Sequence, residues 1–186
     1  TRSRYFCGLW SVEKFYIITI VILSGTKNLR LFGADPSLTL WMTLKKLIMK
    51  KYIVTILGAG NMGTALAKII GDNGHSVKIW NYEGNQEMLE QIAVDHENKI
   101  FLPGIKLSDK VMPEKDLATA VQGAQIIFFV VPSNAMEGVI KRTAEFLPCG
   151  IVCVDASKGL DEKSLGLIPN LISAYLPACL HGSVAC

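Results

Sequence analysis

The chain has 186 residues, 50% of them hydrophobic and 19% charged, with a mean hydropathy of +0.34. That composition excludes a disordered or collagen-like chain, and the length favours one domain, or one and a fraction. Nineteen Lys and Arg against sixteen Asp and Glu leave a net charge of +3, too little to argue for a nucleic-acid partner.

The charge is unevenly placed. Residues 1–49 hold seven basic groups (Arg2, Arg4, Lys14, Lys27, Arg30, Lys45, Lys46) and two acidic ones (Glu13, Asp35). Residues 50–186 are mildly acidic, so the basic balance says nothing about a binding surface there. The longest apolar run, residues 15–23, is nine residues long, whereas a membrane-spanning helix needs about 20. Basic residues precede it, as in a signal peptide, but no A-x-A-like site follows and the chain begins with Thr. Residues 24–48 show neither strand alternation nor a capped helix. Met49, Lys50 and Lys51 then lead straight into a strand. We therefore expect 1–48 to be a leader, unstructured or translated from upstream sequence, and 49–186 to be the working domain. An export signal or membrane anchor is the alternative reading of the leader.

From residue 50 the pattern becomes regular. Residues 52–57 form a short β-rich apolar run, as in a strand buried on both faces. After a glycine loop, residues 64–73 are helical, with Leu66, Ile69 and Ile70 predicted inward, and Asn73-Gly74 stops the helix. Residues 76–80 read as a second strand and 85–92 as a weaker helix. Residues 93–112 look irregular. A short helix is predicted over 114–122, with Ala118 and Val121 inward. The run QIIFFVV, residues 125–131, is the clearest strand. An amphipathic helix follows over 134–147, with Met136, Val139, Ile140 and Phe146 inward. Residues 150–155 make another strand, and 164–176 a helix facing the core through Leu165, Ile168, Ile172, Tyr175 and Leu176. Short strands alternating with helices imply βαβ units: an α/β fold of Rossmann type, doubly wound, with a mostly parallel sheet.

Five cysteines (Cys7, Cys149, Cys153, Cys179, Cys186) are an odd number without a CxxC pair. No metal-ligand set is expected, and the thiols read as reduced and cytoplasmic, two of them in or beside a buried strand.

Residues 58–63, GAGNMG, fit G-x-G-x-x-G between a buried strand and a helix. Gly58 permits the tight turn, Gly60 leaves room for a pyrophosphate, and Gly63 lets the helix pack closely on the strand. Free N–H groups and the dipole at the helix start would hold the phosphates. An acidic residue is expected about 20 residues further on, at the end of the second strand. Glu83 comes a little late there, and Asn81 or Tyr82 is placed nearer the adenine ribose. No Arg is available in that stretch for a 2′-phosphate, which favours NAD over NADP.

Residues 49–80, MKKYIVTILGAGNMGTALAKIIGDNGHSVKIW, resemble the opening of bacterial NAD(P)-dependent glycerol-3-phosphate dehydrogenases. So do NKIFLPG at 98–104, VPS at 131–133 and SKG at 157–159, in order and at suitable spacing. The resemblance implies reduction of dihydroxyacetone phosphate to sn-glycerol 3-phosphate with NAD(P)H. It also implies that Asn61 and Met62 line the dinucleotide loop, that Tyr82 lies near the adenosine end, and that Pro132 lies beside the nicotinamide. Lys158 matches a lysine that contacts cofactor and substrate, and it would be the catalytic residue of this part of the chain. Met62 stands where the family commonly has Trp. The stretch LHGSVAC at 180–186 lacks the family's proline, and only Gly182 is carried over, as a substrate contact.

The family's C-terminal helical domain is not in the sequence, so the chain is expected to bind a dinucleotide without turnover. His75 and His96 lack a partner set, His181 reads as an exposed residue rather than a general acid, Asp155 reads as a cap or turn residue, and residues 101–104 read as an active-site loop or a packed turn. The alternatives are another two-domain reductase (pyrroline-5-carboxylate reductase, or a 6-phosphogluconate or 2-hydroxyacid dehydrogenase relative), a non-catalytic dinucleotide-binding module, or a small membrane-tethered protein.

Overall fold

The computed structural model describes residues 50–84, 86–147, 150–157 and 166–183. The chain divides near residue 50 into two units, and the description concerns the second. The expectations for residues 1–48, Cys149, Lys158 and Leu165 lie outside the described residues.

Among the described residues six strands are present: β1 (Ile53–Leu57), β2 (Ser76–Trp80), β3 (Val111–Glu114), β4 (Ile126–Phe129), β5 (Val152–Asp155) and β6 (Leu180–Ser183). Between them run α1 (Asn61–Asp72), α2 (Glu87–Asp95), α3 (Leu117–Val121), α4 (Ser133–Ala144) and α5 (Ile168–Tyr175). The strand order is β3-β2-β1-β4-β5-β6, and every neighbouring pair is parallel. This is the doubly wound arrangement, with its reversal of direction between β1 and β4. Each strand-to-strand crossover must carry a helix over one face of the sheet.

The central strands explain their own sequences. All four residues of β4 are buried, from Ile126 to Phe129, so the strand reads as an unbroken apolar run rather than an alternating one. Side chains still alternate between two cores. Leu57, Trp80, Ile127, Phe129 and Cys153 join one cluster with residues of α3, α4 and α5. Val54, Ile56, Val77 and Ile79 are buried on the other face, where α1 and α2 pack. Cys153 and Cys179 are both free and buried. Hydrogen bonding with Cys179 first, and burial second, push the Cys153 thiol well above the ordinary thiol range.

Two strands depart from the expectation. β3 occupies residues read as irregular loop and as the start of a helix, and the helix is confined to Leu117–Val121. Pro113 obscured it, since proline cannot donate to a ladder. β3 tolerates it because it pairs on one side only, with β2. β6, with the sequence LHGS, has little strand propensity and owes its form to pairing with β5.

Inward faces also shift. Ile69 is exposed, because the buried stripe of α1 runs through Gly63, Leu66, Ala67, Ile70 and Gly71. Phe146 lies beyond the end of α4 and is exposed, as is Tyr175 at the last residue of α5. In α3 the fully buried residues are Leu117, Ala120 and Val121, with Ala118 only half-buried. That five-residue helix is held at both ends. The Asp116 carboxylate accepts from the Thr119 amide at 2.8 Å, and Lys78 Nζ donates to the Thr119 and Gln122 carbonyls at 2.7 and 3.0 Å. Capping of this kind rescues a helix too short to hold itself. No helix among the described residues is long and apolar enough to cross a membrane.

Candidate functional site: the cleft over the glycine loop

Strand β1 ends at Leu57 and α1 begins at Asn61, so the turn between them spans three residues. Gly58 has φ +122°, and a Cβ there would fall 2.3 Å from the Val130 carbonyl oxygen. Only glycine fits that backbone. A Cβ on Gly63 would fall 1.8 Å from the Gly58 carbonyl oxygen, so the helix reaches its closest approach to the loop at a residue without a side chain. Gly60 differs from both. A Cβ there would meet nothing within 4 Å. Open space in front of that backbone is what a phosphate needs in order to approach it.

The start of α1 is equally exposed to a ligand. Gly60 is its N-cap, no side chain caps it, and its first turn holds no acidic residue. The leading amides and the positive end of the helix dipole are therefore turned toward the cleft. The cleft has a volume of about 410 Å³ and is lined by the glycine loop, Met62, Phe101, Val130 to Pro132, and Ser157. It lies at the carboxyl ends of β1 and β4, where the strand order reverses and where ligands of open α/β sheets bind. A larger cavity, about 640 Å³, lies between the ends of α3 and α4. That cavity is at the amino-terminal edge of β4, away from the glycine loop and the exposed helix start, so volume alone does not mark the site.

A layer of hydrogen bonds holds the loop in shape. The Gly58 amide donates to the Trp80 carbonyl at 2.8 Å. The Ala59 amide donates to Asn81 Oδ1 at 3.2 Å. Asn98, fully buried, donates from Nδ2 to the Ala59 carbonyl at 2.9 Å and to Thr64 Oγ1 at 2.8 Å. Its Oδ1 accepts from the Phe101 amide at 3.2 Å. One side chain thus ties the glycine loop, the first turns of α1 and the Phe101 loop together. Asn98 entered the sequence reading only as a letter of a motif, and burial of its amide is what reveals its work.

On the opposite wall, Ser157 Oγ donates to the Val131 carbonyl at 2.9 Å, and the Ser157 amide donates to Asp155 Oδ1 at 2.8 Å. Asp155 is buried at the end of β5. Burial pushes its carboxyl above the ordinary range, against the pull of the Ser157 hydrogen bonds. The residue acts as a turn anchor, as its position in the sequence implied.

The sequence-predicted residues divide in their placement. Gly58, Gly60, Asn61, Met62, Gly63 and Pro132 all line the cleft, and Pro132 also N-caps α4. Tyr82 is 62% exposed, its ring against Gly84 just past the end of β2. Gly182 lies in β6, in register with Val154 of β5. Phe101, alone of residues 101–104, lines the cleft. The residues that follow β2 hold no Arg, as the sequence shows, yet one reaches that edge from elsewhere in the fold. Arg142, 59 residues later in α4, donates to the Glu83 carboxylate at that edge. The side chain arrives through the fold, not through the local sequence.

Comparison with known proteins agrees with this geometry. Residues 53–185 match the family model described as NAD-dependent glycerol-3-phosphate dehydrogenase N-terminus. The chain is 40% identical over 129 residues to glycerol-3-phosphate dehydrogenase [NAD(P)+] of Bacillus velezensis, covering 69% of this chain and 36% of that protein. Among solved structures, glycerol-3-phosphate dehydrogenase from Coxiella burnetii superposes with a TM-score of 0.67 at 27% identity, covering 72% of this chain and 40% of that one. The Plasmodium falciparum enzyme superposes with a TM-score of 0.64 at 27% identity, over 75% of this chain and 41% of that one. The chain thus spans well under half the length of these relatives. A matched family model over most of the chain, the sheet order and the glycine-loop cleft together establish that this chain belongs to the NAD-dependent glycerol-3-phosphate dehydrogenase N-terminal family.

Proposed function

We propose that residues 49–186 bind NAD(H) or NADP(H) in the cleft over the glycine loop and serve hydride exchange between dihydroxyacetone phosphate and sn-glycerol 3-phosphate. The observation that carries this reading is the open space at Gly60 in front of an uncapped helix start. The bound dinucleotide would supply the hydride at its nicotinamide C4. The chain's own residues bind and orient. The amides of Asn61, Met62 and Gly63 hold the pyrophosphate, and the side chain of Met62 covers it. Pro132 and Val131 form the wall beside the nicotinamide half.

Ser157, anchored by Asp155, directly precedes Lys158 in the sequence. On the family resemblance, that lysine would contact cofactor and substrate, and its ammonium would polarise the substrate carbonyl or hold its phosphate. Gly182 would approach the substrate from the neighbouring strand. The reaction is proposed to run in the cytoplasm, in keeping with two buried free thiols.

Calorimetric titration of the whole 186-residue chain with NADH and NADPH tests the reading. Saturable binding of at least one, lost in a Gly60→Leu variant that still folds, is the expected result. No binding of either would overturn it.

A further inference from the structure

A charge pair links two layers of the fold at the carboxyl end of β2. Glu83 lies three residues beyond Trp80, and Arg142 belongs to α4. Arg142 Nη1 donates to Glu83 Oε2 at 3.2 Å, and Nη2 donates to Oε1. The guanidinium also lies over the Trp80 ring, 5.8 Å from its centroid. A two-pronged hydrogen bond and a flat aromatic surface therefore fix Arg142 in place. Both side chains keep nearly half their surface in solvent, 44% for Arg142 and 47% for Glu83, so a third group can reach them.

The surroundings are acidic. Asp116 is close enough to act on both partners, and Glu145 also acts on Arg142. Arg142 holds the Glu83 carboxyl below the ordinary range, so the carboxylate stays charged at neutral pH. Three carboxylates, Glu83, Asp116 and Glu145, thus bear on one guanidinium.

In sheets of this strand order the adenosine ribose sits at this edge, where an acid accepts from its 2′-hydroxyl and an Arg takes a 2′-phosphate. Here both residue types are present and already bound to each other. A ribose hydroxyl meets carboxylate oxygens with lone pairs to spare. A 2′-phosphate meets an acidic cluster whose one guanidinium is occupied.

We propose that the Glu83–Arg142 pair sets the choice between the two dinucleotides: Glu83 selects NAD(H), and by engaging Arg142 it masks a latent 2′-phosphate site. The inference rests on the dinucleotide reading above. Its test is calorimetric titration of the full chain, Glu83→Gln, and Glu83→Gln combined with Arg142→Gln, each with NADH and with NADPH. The unaltered chain binds NADH more tightly. Glu83→Gln frees the guanidinium and shifts the NADPH-to-NADH affinity ratio toward NADPH by about tenfold. The second substitution abolishes that shift. An unchanged ratio in Glu83→Gln, or a shift that survives removal of Arg142, overturns the proposal while leaving dinucleotide binding intact. Absence of binding by the unaltered chain overturns the dinucleotide reading itself, and this inference with it.

Discussion

Asn98 donates its side-chain amide to the main-chain carbonyl of Ala59, 2.9 Å away and 39 residues earlier in the chain. Because Asn98 is fully buried, no water replaces that bond if it is cut. Asn98→Ala removes the side-chain acceptor of the Phe101 amide and leaves the Ala59 carbonyl only the longer bond from the Thr64 hydroxyl, 3.3 Å, which costs about 2 kcal/mol. Asn98→Asp does more harm, since it sets an acceptor against the Ala59 carbonyl oxygen. Urea denaturation should show both losses, and dinucleotide affinity measured on the folded fraction should fall with them, because the glycine loop is no longer held.

The three loop glycines should separate by substitution. Gly63→Ala forces a methyl group into the Gly58 carbonyl and should cost about 4 kcal/mol or more, the range reserved for overpacking and backbone strain. Gly60→Leu projects into open space and should change stability by only about 0.5 kcal/mol while abolishing dinucleotide binding. Thermal melts paired with NADH and NADPH titrations check both outcomes. Equal stability losses at 60 and 63 would count against the cleft as the ligand site.

Asp155 should make the fold less stable as pH rises. The unfolded side chain ionises near pH 4, while burial keeps the folded carboxyl protonated to higher pH. Its favourable contribution is full below the unfolded value and is lost as pH climbs through the folded one. Asp155→Asn keeps an oxygen for the Ser157 amide and removes the ionisation. Relative to that variant, the unaltered chain should lose stability as pH rises above about 4. Chemical denaturation of both proteins across pH 4 to 8 gives the comparison.

His75 acts in the opposite direction. It is buried, its Nδ1 accepts from the Tyr52 amide at 3.3 Å, and burial first, then the Lys51 charge, holds its pKa below 6.5. The unfolded imidazole takes up a proton near pH 6.5, and the folded one only at lower pH. The stabilising contribution is therefore present above about pH 6.5 and is lost as pH falls toward the folded value. His75→Asn, which keeps an acceptor for Tyr52, should flatten this acid limb in melts between pH 7 and 5.

Legibility of the fold followed burial. β1, β4 and β5 were each readable from an apolar run, because a strand covered on both faces needs little else, and β2 was readable despite Ser76 and Lys78. β3 and β6 were not, because they are edge strands: Pro113 in one and the weak LHGS sequence in the other are acceptable only beside a partner that supplies the register. Helix faces were readable to within a residue or two. The errors at Ile69, Phe146 and Tyr175 fall on the flank or at the end of a helix, where periodicity no longer decides exposure.

The site divides along the same line. The loop glycines are local: the positions where a Cβ cannot fit, and the one where it meets nothing, follow from a tight strand-to-helix turn that six consecutive residues encode. Asn98 beneath the loop and Arg142 beside Glu83 are not local. Each acts on a partner 39 or 59 residues away, and contacts at that separation exist only after the crossovers have packed their helices on the sheet. Short-range sterics are written into the order of residues, whereas long-range hydrogen bonds and charge pairs depend on which side chains the completed core leaves facing one another.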